Sequence, residues 1–363
     1  MTTRRDFLKT GAAAGVVFCS CGLLKGAHGQ AARQKLPVMV NGKRVKTIDV
    51  HSHCHFHEAG ALLADGPKLQ VPPVNGAEEA FIDINQRIAA MDSQAIDLEV
   101  LSINPFWYDR DRDLAAKIVS IQNEKLAELC ASKPDRFAGF ASLTLQAPDL
   151  AVQELETAIK KQGLKGAAIG DVVDGVEFSD PKFHPVWAKA EELGVPLFIH
   201  PQGLPELNKR FAGNGWLGNT IANPLGTTIA LSHLIFEGTF DRFPGLKVIA
   251  AHGGGYLPSY ADRSDHACLV GPKGCNPEVK LKKQPTEYLK QIYFDSLVFT
   301  PEAMRHLVAQ VGASQLVLGS DYPYPYPWQM QPVDHIFACT TLSDDEKADI
   351  LGRTAAKLFN FSA

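Results

Sequence analysis

Short apolar runs that alternate with longer helical stretches constrain this chain more than any other feature. Runs of the strand type fall at 45–50, 98–103, 137–143, 166–169, 195–199, 247–250, 291–294 and 316–318. Helical patterns lie between them at 84–95, 113–131, 148–161, 181–193 and 227–240, and a last one at 343–359 closes the chain. In the second of these, Ile118, Ile121, Leu126 and Leu129 recur at spacings of three to five. Pro148 stands at the start of the third, where a proline costs a helix nothing. Eight strands alternating with helices predict an α/β fold of the (β/α)8 TIM-barrel type. A doubly wound open sheet is the competing architecture, but no Gly-x-Gly-x-x-Gly follows the first strand.

The first residues do not belong to that pattern. Thr3-Arg4-Arg5-Asp6-Phe7-Leu8-Lys9 opens the chain, an apolar stretch runs over 12–24, and Ala27-His28-Gly29 offers a cleavage site. A membrane-spanning helix needs about 20 apolar residues, so this stretch is too short to span. Residues 1–29 therefore read as a twin-arginine (Tat) signal peptide. The expected location is periplasmic or extracellular, with the Tat export machinery as a transient partner and no stable membrane insertion. Residues 30–44 read as an extended lead-in and 45–363 as the barrel domain.

With 36 Lys plus Arg against 40 Asp plus Glu, the net charge is −4, and no basic run of five or more occurs. That balance argues against a nucleic-acid partner. The cysteines outside the signal, Cys54, Cys130, Cys268, Cys275 and Cys339, form no disulfide framework, although Cys268 and Cys275 could bridge in an oxidising compartment.

Chemistry-bearing residues gather at the strand ends. The first strand runs into His51-Ser52-His53, the fifth ends at His200, the sixth at His252 before Gly253-Gly254-Gly255, and the eighth at Asp321. Side chains at i and i+2 share one face of a strand, so a His-x-His pair can pinch one ion. The register is open on spacing alone, because His55 and His57 continue the run. In a barrel all these ends face one mouth. Imidazoles plus a carboxylate with an open position suit a catalytic Zn²⁺ site, and Mn²⁺ or Fe²⁺ would also bind. One divalent ion is expected, with zinc preferred and manganese the alternative.

Together these motifs resemble the amidohydrolase superfamily, in the branch of amino-carboxymuconate-semialdehyde decarboxylase and the hydroxybenzoate decarboxylases. The matching stretches are Ile48-Asp49-Val50-His51-Ser52-His53, Arg87-Ile88-Ala89-Ala90-Met91-Asp92, Pro134-Asp135-Arg136-Phe137, Leu197-Phe198-Ile199-His200-Pro201, Asn223-Pro224-Leu225-Gly226, Ala251-His252-Gly253-Gly254-Gly255 and Leu318-Gly319-Ser320-Asp321-Tyr322-Pro323. The resemblance implies His51, His53, His200 and Asp321 as metal ligands and His252 beside them as general acid/base. It implies Arg263 as the group that binds the substrate carboxylate, across a homodimer interface in some relatives, and Asp295 as the residue that orients His252. Trp107 and Tyr322, with Phe106 and Tyr324, sit on predicted loops at the mouth and could stack on a flat substrate.

The function expected on this basis is a metal-dependent decarboxylase acting on a small aromatic or enoic carboxylic acid, with Asp321 and His252 handling the proton. The alternative is a metal-dependent hydrolase of an amide, lactone or ester bond, in which a water of lowered pKa attacks a carbonyl.

Overall fold

A computed structural model describes residues 37–63, 83–271, 275, 278–324 and 331–362; the expected signal peptide and most of the lead-in lie outside them. Residues 37–44 are not simply extended, because Met39–Val40 and Lys43–Arg44 pair as an antiparallel hairpin. The parallel strands follow: β1 Ile48–His53, β2 Leu98–Ser102, β3 Phe137–Gly139, β4 Ala167–Ile169, β5 Pro196–Ile199, β6 Lys247–Ala250, β7 Ile292–Asp295 and β8 Leu316–Val317. Seven of the eight begin within one residue of their predicted starts. The first lies three residues later than predicted, which puts His51 and His53 inside the strand rather than beyond it.

Strands β1–β3 form one sheet and β4–β8 another, and the two join at both edges. Ala141, just past β3, bridges Ala167 in parallel; its N–H donates to Gly166 O at 2.8 Å, and the Ala168 N–H donates to Ala141 O at 2.9 Å. At the other edge the Val50 N–H donates to Leu318 O at 2.8 Å and the His53 N–H to Tyr322 O at 2.7 Å. The cylinder is therefore closed, as the (β/α)8 expectation requires. Closure buries both faces of every strand, which is why the strands read as near-continuous apolar runs.

Two apolar layers result. Ile48, Val50, Phe140, Phe198 and Ile249 fill the barrel interior, and a larger layer lies between the strands and the helices. Strict alternation after Ile48 and Val50 would send His51 outward. Between Asp49 and Ser52, however, the register against β2 shifts. That irregularity turns His51 inward, where its ring lies 5.0 Å from that of Phe198. Re-aiming a side chain at a barrel rim is a common use of such bulges.

The last predicted helix is broken into Asp344–Ala348, a π-turn at Asp349–Arg353 and Thr354–Phe359. The break has a steric cause at Gly352, where a Cβ would sit 1.8 Å from the Lys46 carbonyl oxygen. The chain can then swing Ala355, Leu358 and Phe359 onto the interior layer, with Phe359 5.7 Å from Phe140. Cys275 is disulfide-bonded, whereas Cys54, Cys130 and Cys339 are free; the Cys268 side chain, its expected partner, lies outside the described residues.

Gly352→Ala should therefore lower unfolding stability by about 2–3 kcal/mol through overpacking. Gly218→Ala, where a Cβ meets nothing within 4 Å, should change it little. Equal urea midpoints for the two variants would show that the Lys46 contact does not constrain the fold.

Candidate metal centre and cavity

Because the strands are parallel, their C-terminal ends deliver side chains to one mouth. His51 and His53 come from β1, His200 follows β5, His252 follows β6, Asp295 ends β7, and Asp321 lies beyond β8. The potential ligand atoms of His51, His53, His200 and Asp321 all lie within 4.8 Å of one another. His51 Nε2 is 3.1 Å from His53 Nε2, and Asp321 Oδ1 is 3.0 Å from the first and 2.8 Å from the second. The His200 ring lies 4.7 Å from His53 and 5.1 Å from His51.

The outer hydrogen bonds decide which nitrogens are bare. His51 Nδ1 donates to Asp295 Oδ2 at 2.5 Å, so its Nε2 lone pair points into the cluster. Ser102 Oγ donates its one proton to Ser52 O at 3.1 Å and so accepts from His53 Nδ1 at 3.0 Å. His53 Nε2 is bare for the same reason. Both nitrogens of His200 are buried without a hydrogen-bond partner. Buried polar atoms without partners are rare and call for an ion, a water or a function. These residues fit a divalent cation on ligand type, convergence and outer-shell support, and they constitute a metal-binding site.

The electrostatics agree. Burial drives His53 down to about 4, and burial plus the neighbouring imidazoles hold His200 well below the ordinary histidine value. Both are neutral and offer lone pairs. Burial opposes charge on His51 too, but Asp321 and Asp295 outweigh it and push the ring up to about 10. Burial likewise works against ionised Asp321, yet His51 and its neighbours hold that carboxyl well below the usual carboxylate range. A proton on His51 thus marks where positive charge belongs.

A second layer of contacts fixes these groups. Asp49 accepts from the Ser320 N–H and the His51 N–H, each at 3.1 Å, and from the Ser320 hydroxyl. The Asp321 N–H donates to His51 O at 2.8 Å. Buried Arg87 donates to Glu99 at 2.8 Å, to Ser52 Oγ at 2.9 Å and to the His53 carbonyl. Asp295, expected to orient His252, accepts the backbone N–H groups of His252 at 2.8 Å and Gly253 at 2.7 Å, and it holds the His51 ring as well. His252 Nε2 lies 3.5 Å from Asp321 Oδ2. Both residues sit on left-handed backbone, with φ 54° for His252 and 59° for Asp321. Such conformations cost energy in non-glycine residues and cluster at functional sites.

A cavity of about 720 Å³ opens above the cluster, lined by His53, His200, His252 and Asp321 at its floor. Phe106 and Tyr324 line it as expected, with Asn104 donating to the Tyr324 hydroxyl at 3.3 Å. Trp107 and Tyr322, expected as substrate contacts, do not line the cavity, and Arg263 does not reach that of its own chain. Trp107 is fully buried and its indole N–H donates to Leu143 O at 2.9 Å, because the aromatic run alternates and sends Phe106 to the cavity. Tyr322 is buried with its ring under Arg87, 4.9 Å from the guanidinium carbon. Arg263 is exposed on the helix Leu257–Val270 and lines no part of the cavity of its own chain. Conversely, Cys54, His55, Trp216, Asn223 and Phe299 line the cavity without having been singled out for it. His55 had a signal in the His-x-His-x-His run and Asn223 in the Asn223-Pro224-Leu225-Gly226 motif; Cys54, Trp216 and Phe299 had none.

The amidohydrolase family profile matches residues 48–361. A 2-amino-3-carboxymuconate-6-semialdehyde decarboxylase of Dictyostelium discoideum is 34% identical over 275 residues, 75% of each chain. A gamma-resorcylate decarboxylase of Rhizobium radiobacter is 31% identical over 298 residues, covering 77% of this chain and 88% of that one. Among solved structures, 5-carboxyvanillate decarboxylase from Sphingomonas paucimobilis superposes with a TM-score of 0.79 at 25% identity, over 88% of this chain and 100% of the other. A dihydroxybenzoic acid decarboxylase from a Polaromonas species, solved with bound manganese and the inhibitor 2-nitroresorcinol, gives 0.74 at 25% identity, over 87% and 97%. The chain belongs to the amidohydrolase family, in its decarboxylase branch.

Proposed function

We propose that this enzyme decarboxylates an aromatic carboxylic acid that bears a hydroxyl beside the carboxylate. The observation that carries the reading is the set of bare lone pairs of His51, His53 and His200 converging with Asp321 under an aromatic-lined cavity. His51, His53, His200 and Asp321 would hold the ion, which supplies Lewis-acid polarisation and a template for the substrate oxygens when bound. Zinc suits this ligand set, and the manganese-bound Polaromonas relative supports manganese as the alternative.

Asp321 divides its work between two oxygens. Oδ1 faces His51 and His53, and Oδ2 faces His252. Oδ2 is therefore the oxygen that can carry a proton, received across the 3.5 Å gap from His252. Asp321 gives that proton to the ring carbon bearing the carboxylate. The new C–H bond interrupts the ring conjugation; the C–C bond to the carboxylate then breaks, its electron pair restores the ring, and CO2 leaves. His252 recovers a proton from solvent at the mouth, since its side chain is 16% exposed. Phe106 and Tyr324 keep the ring flat against the floor. The hydrolytic alternative uses the same residues, but the decarboxylase relatives favour loss of CO2.

The reading extends to a homodimer. Arg263 is exposed beside Tyr260, itself 63% exposed, so it would meet a substrate only in the cavity of a second copy. We also place residues 1–29 as a twin-arginine export signal, on the strength of Arg4-Arg5 and the apolar stretch after them.

Protein purified without added metal should hold about one divalent ion per chain and release CO2 from at least one ortho-hydroxybenzoate. Asp321→Asn should lower that rate by about 10³-fold, and His200→Ala should lose the ion by elemental analysis. A metal-free protein, or Asp321→Asn at the full rate, would end this reading.

Arg263→Ala and Asp321→Asn, each inactive alone, should recover activity when their subunits are exchanged. Sedimentation as a monomer at working concentration would exclude the shared site.

Replacing Arg4 and Arg5 by lysine should leave the protein in the cytoplasmic fraction. Unchanged export would remove the twin-arginine reading.

A further inference from the structure

The cavity has two unlike ends. The histidines and the carboxylate among its described lining residues are His53, His200 and Asp321 of the metal cluster, His252 beside Asp321, and His55 two residues past His53. Among the described residues the outer wall carries no charged side chain. It is built from the segment after β5, with Gln202, Asn208, Asn219 and Asn223, and no lysine or arginine is among the described residues that line it. A carboxylate brought to that wall would give up water without gaining a countercharge from the described lining residues.

Two large aromatic side chains stand at the same outer end. Trp216 is 55% exposed and Phe299 is 51% exposed, and both line the cavity. Trp216 holds φ 50°, next to Gly215 at φ 91°. A bulky residue in the left-handed region is an outlier that the surrounding chain must support. The strained turn keeps an indole at the mouth, where water rather than protein covers half of it. The cavity, at about 720 Å³, is also of a size that encloses a ligand well beyond one ring.

We propose that the outer end is a subsite for a second, uncharged ring of the substrate, which rests on Trp216 and Phe299 while its carboxylate end lies at the metal cluster. The proposal rests on the decarboxylase reading for the inner end only. The substrate class it names is a hydroxylated aromatic monocarboxylic acid with a neutral aryl substituent opposite the carboxylate.

Three acids test it on the metal-loaded protein: salicylate, 4-phenylsalicylate and 2-hydroxyterephthalate, which place hydrogen, phenyl and carboxylate at the far position. Binding is read by stopped-flow tryptophan quenching, before turnover, and CO2 release is followed in parallel. The phenyl compound should bind about tenfold more tightly than salicylate, because it buries more apolar area and packs a second ring against the two aromatic side chains. The second carboxylate should weaken binding relative to salicylate. Trp216→Ala and, independently, Phe299→Ala should each shrink the phenyl-to-salicylate affinity ratio. Equal affinities for phenyl and hydrogen, tighter binding of the dicarboxylate, or a phenyl preference untouched by both variants would overturn the subsite. Tighter phenyl binding with no CO2 from any of the three acids or a wider hydroxybenzoate panel would leave the subsite standing and remove the decarboxylase reading. CO2 release without a phenyl preference would do the reverse.

Discussion

Three lone pairs meet at the mouth of this barrel, and nothing neutral would hold them there. His51 Nε2 and His53 Nε2 approach to 3.1 Å, and Asp321 Oδ1 closes the triangle at 3.0 and 2.8 Å. Each imidazole is prevented from turning its N–H inward, because Asp295 and Ser102 take that proton on the far side. A single proton can bridge one pair of these atoms. A divalent ion satisfies all three together with His200, whose buried nitrogens have no hydrogen-bond partner. The positive charge at the centre is thus a requirement of the hydrogen bonds outside it.

That requirement explains why the polar groups around the site are so deeply buried. Asp49, Asp295, Arg87 and Glu99 all lie within the protein, where ion pairs return little net stability. Burial and Glu99 push Asp49 up to about 8, and its hydrogen bonds to Ser320 resist that rise only in part. Such a residue does not serve stability. It ties β1 to the segment carrying Asp321, so the two sources of ligand atoms move as one body. Arg87 does the same for the other flank of β1, gripping Ser52, the His53 carbonyl and Glu99 of β2. Proteins commonly give up stability at a site for geometry of this kind.

Much of this was legible in the amino-acid order, and the divisions are physical. Closed parallel barrels bury both faces of their strands, so eight apolar runs announced the fold. Ligands at strand ends announced the mouth, because parallel strands can point only one way. The bulge between Asp49 and Ser52 was not legible: no glycine or proline marks it, and it exists because β1 must satisfy β2 on one side and Leu318 on the other. The Phe106–Trp107 choice depended on which aromatic found a carbonyl for its N–H, a tertiary fact that local pattern does not carry. Asp295 was placed beside His252 from the sequence, but its grip on the His51 ring was not, since that distance is set by two strands far apart in sequence. The aromatic character of Trp216 was visible, but not its return to the cavity along a segment with glycine turns at 213 and 215.

The polarity of the cavity also bears on the direction of the chemistry. With the metal site at the inner end, a carboxylic acid would lower its free energy by entering acid first, because an ion held there would meet its charge and the described residues of the outer wall would not. Its ring carbon then lies near Asp321, and its far edge meets amides and aromatic rings. Orientation is decided by charge before any contact with the ring discriminates. A neutral product has no such pull: once CO2 has left, the phenol loses the interaction that held its precursor at the floor. The same asymmetry that orders the substrate therefore favours release of what remains, and a cationic outer wall would have weakened both effects.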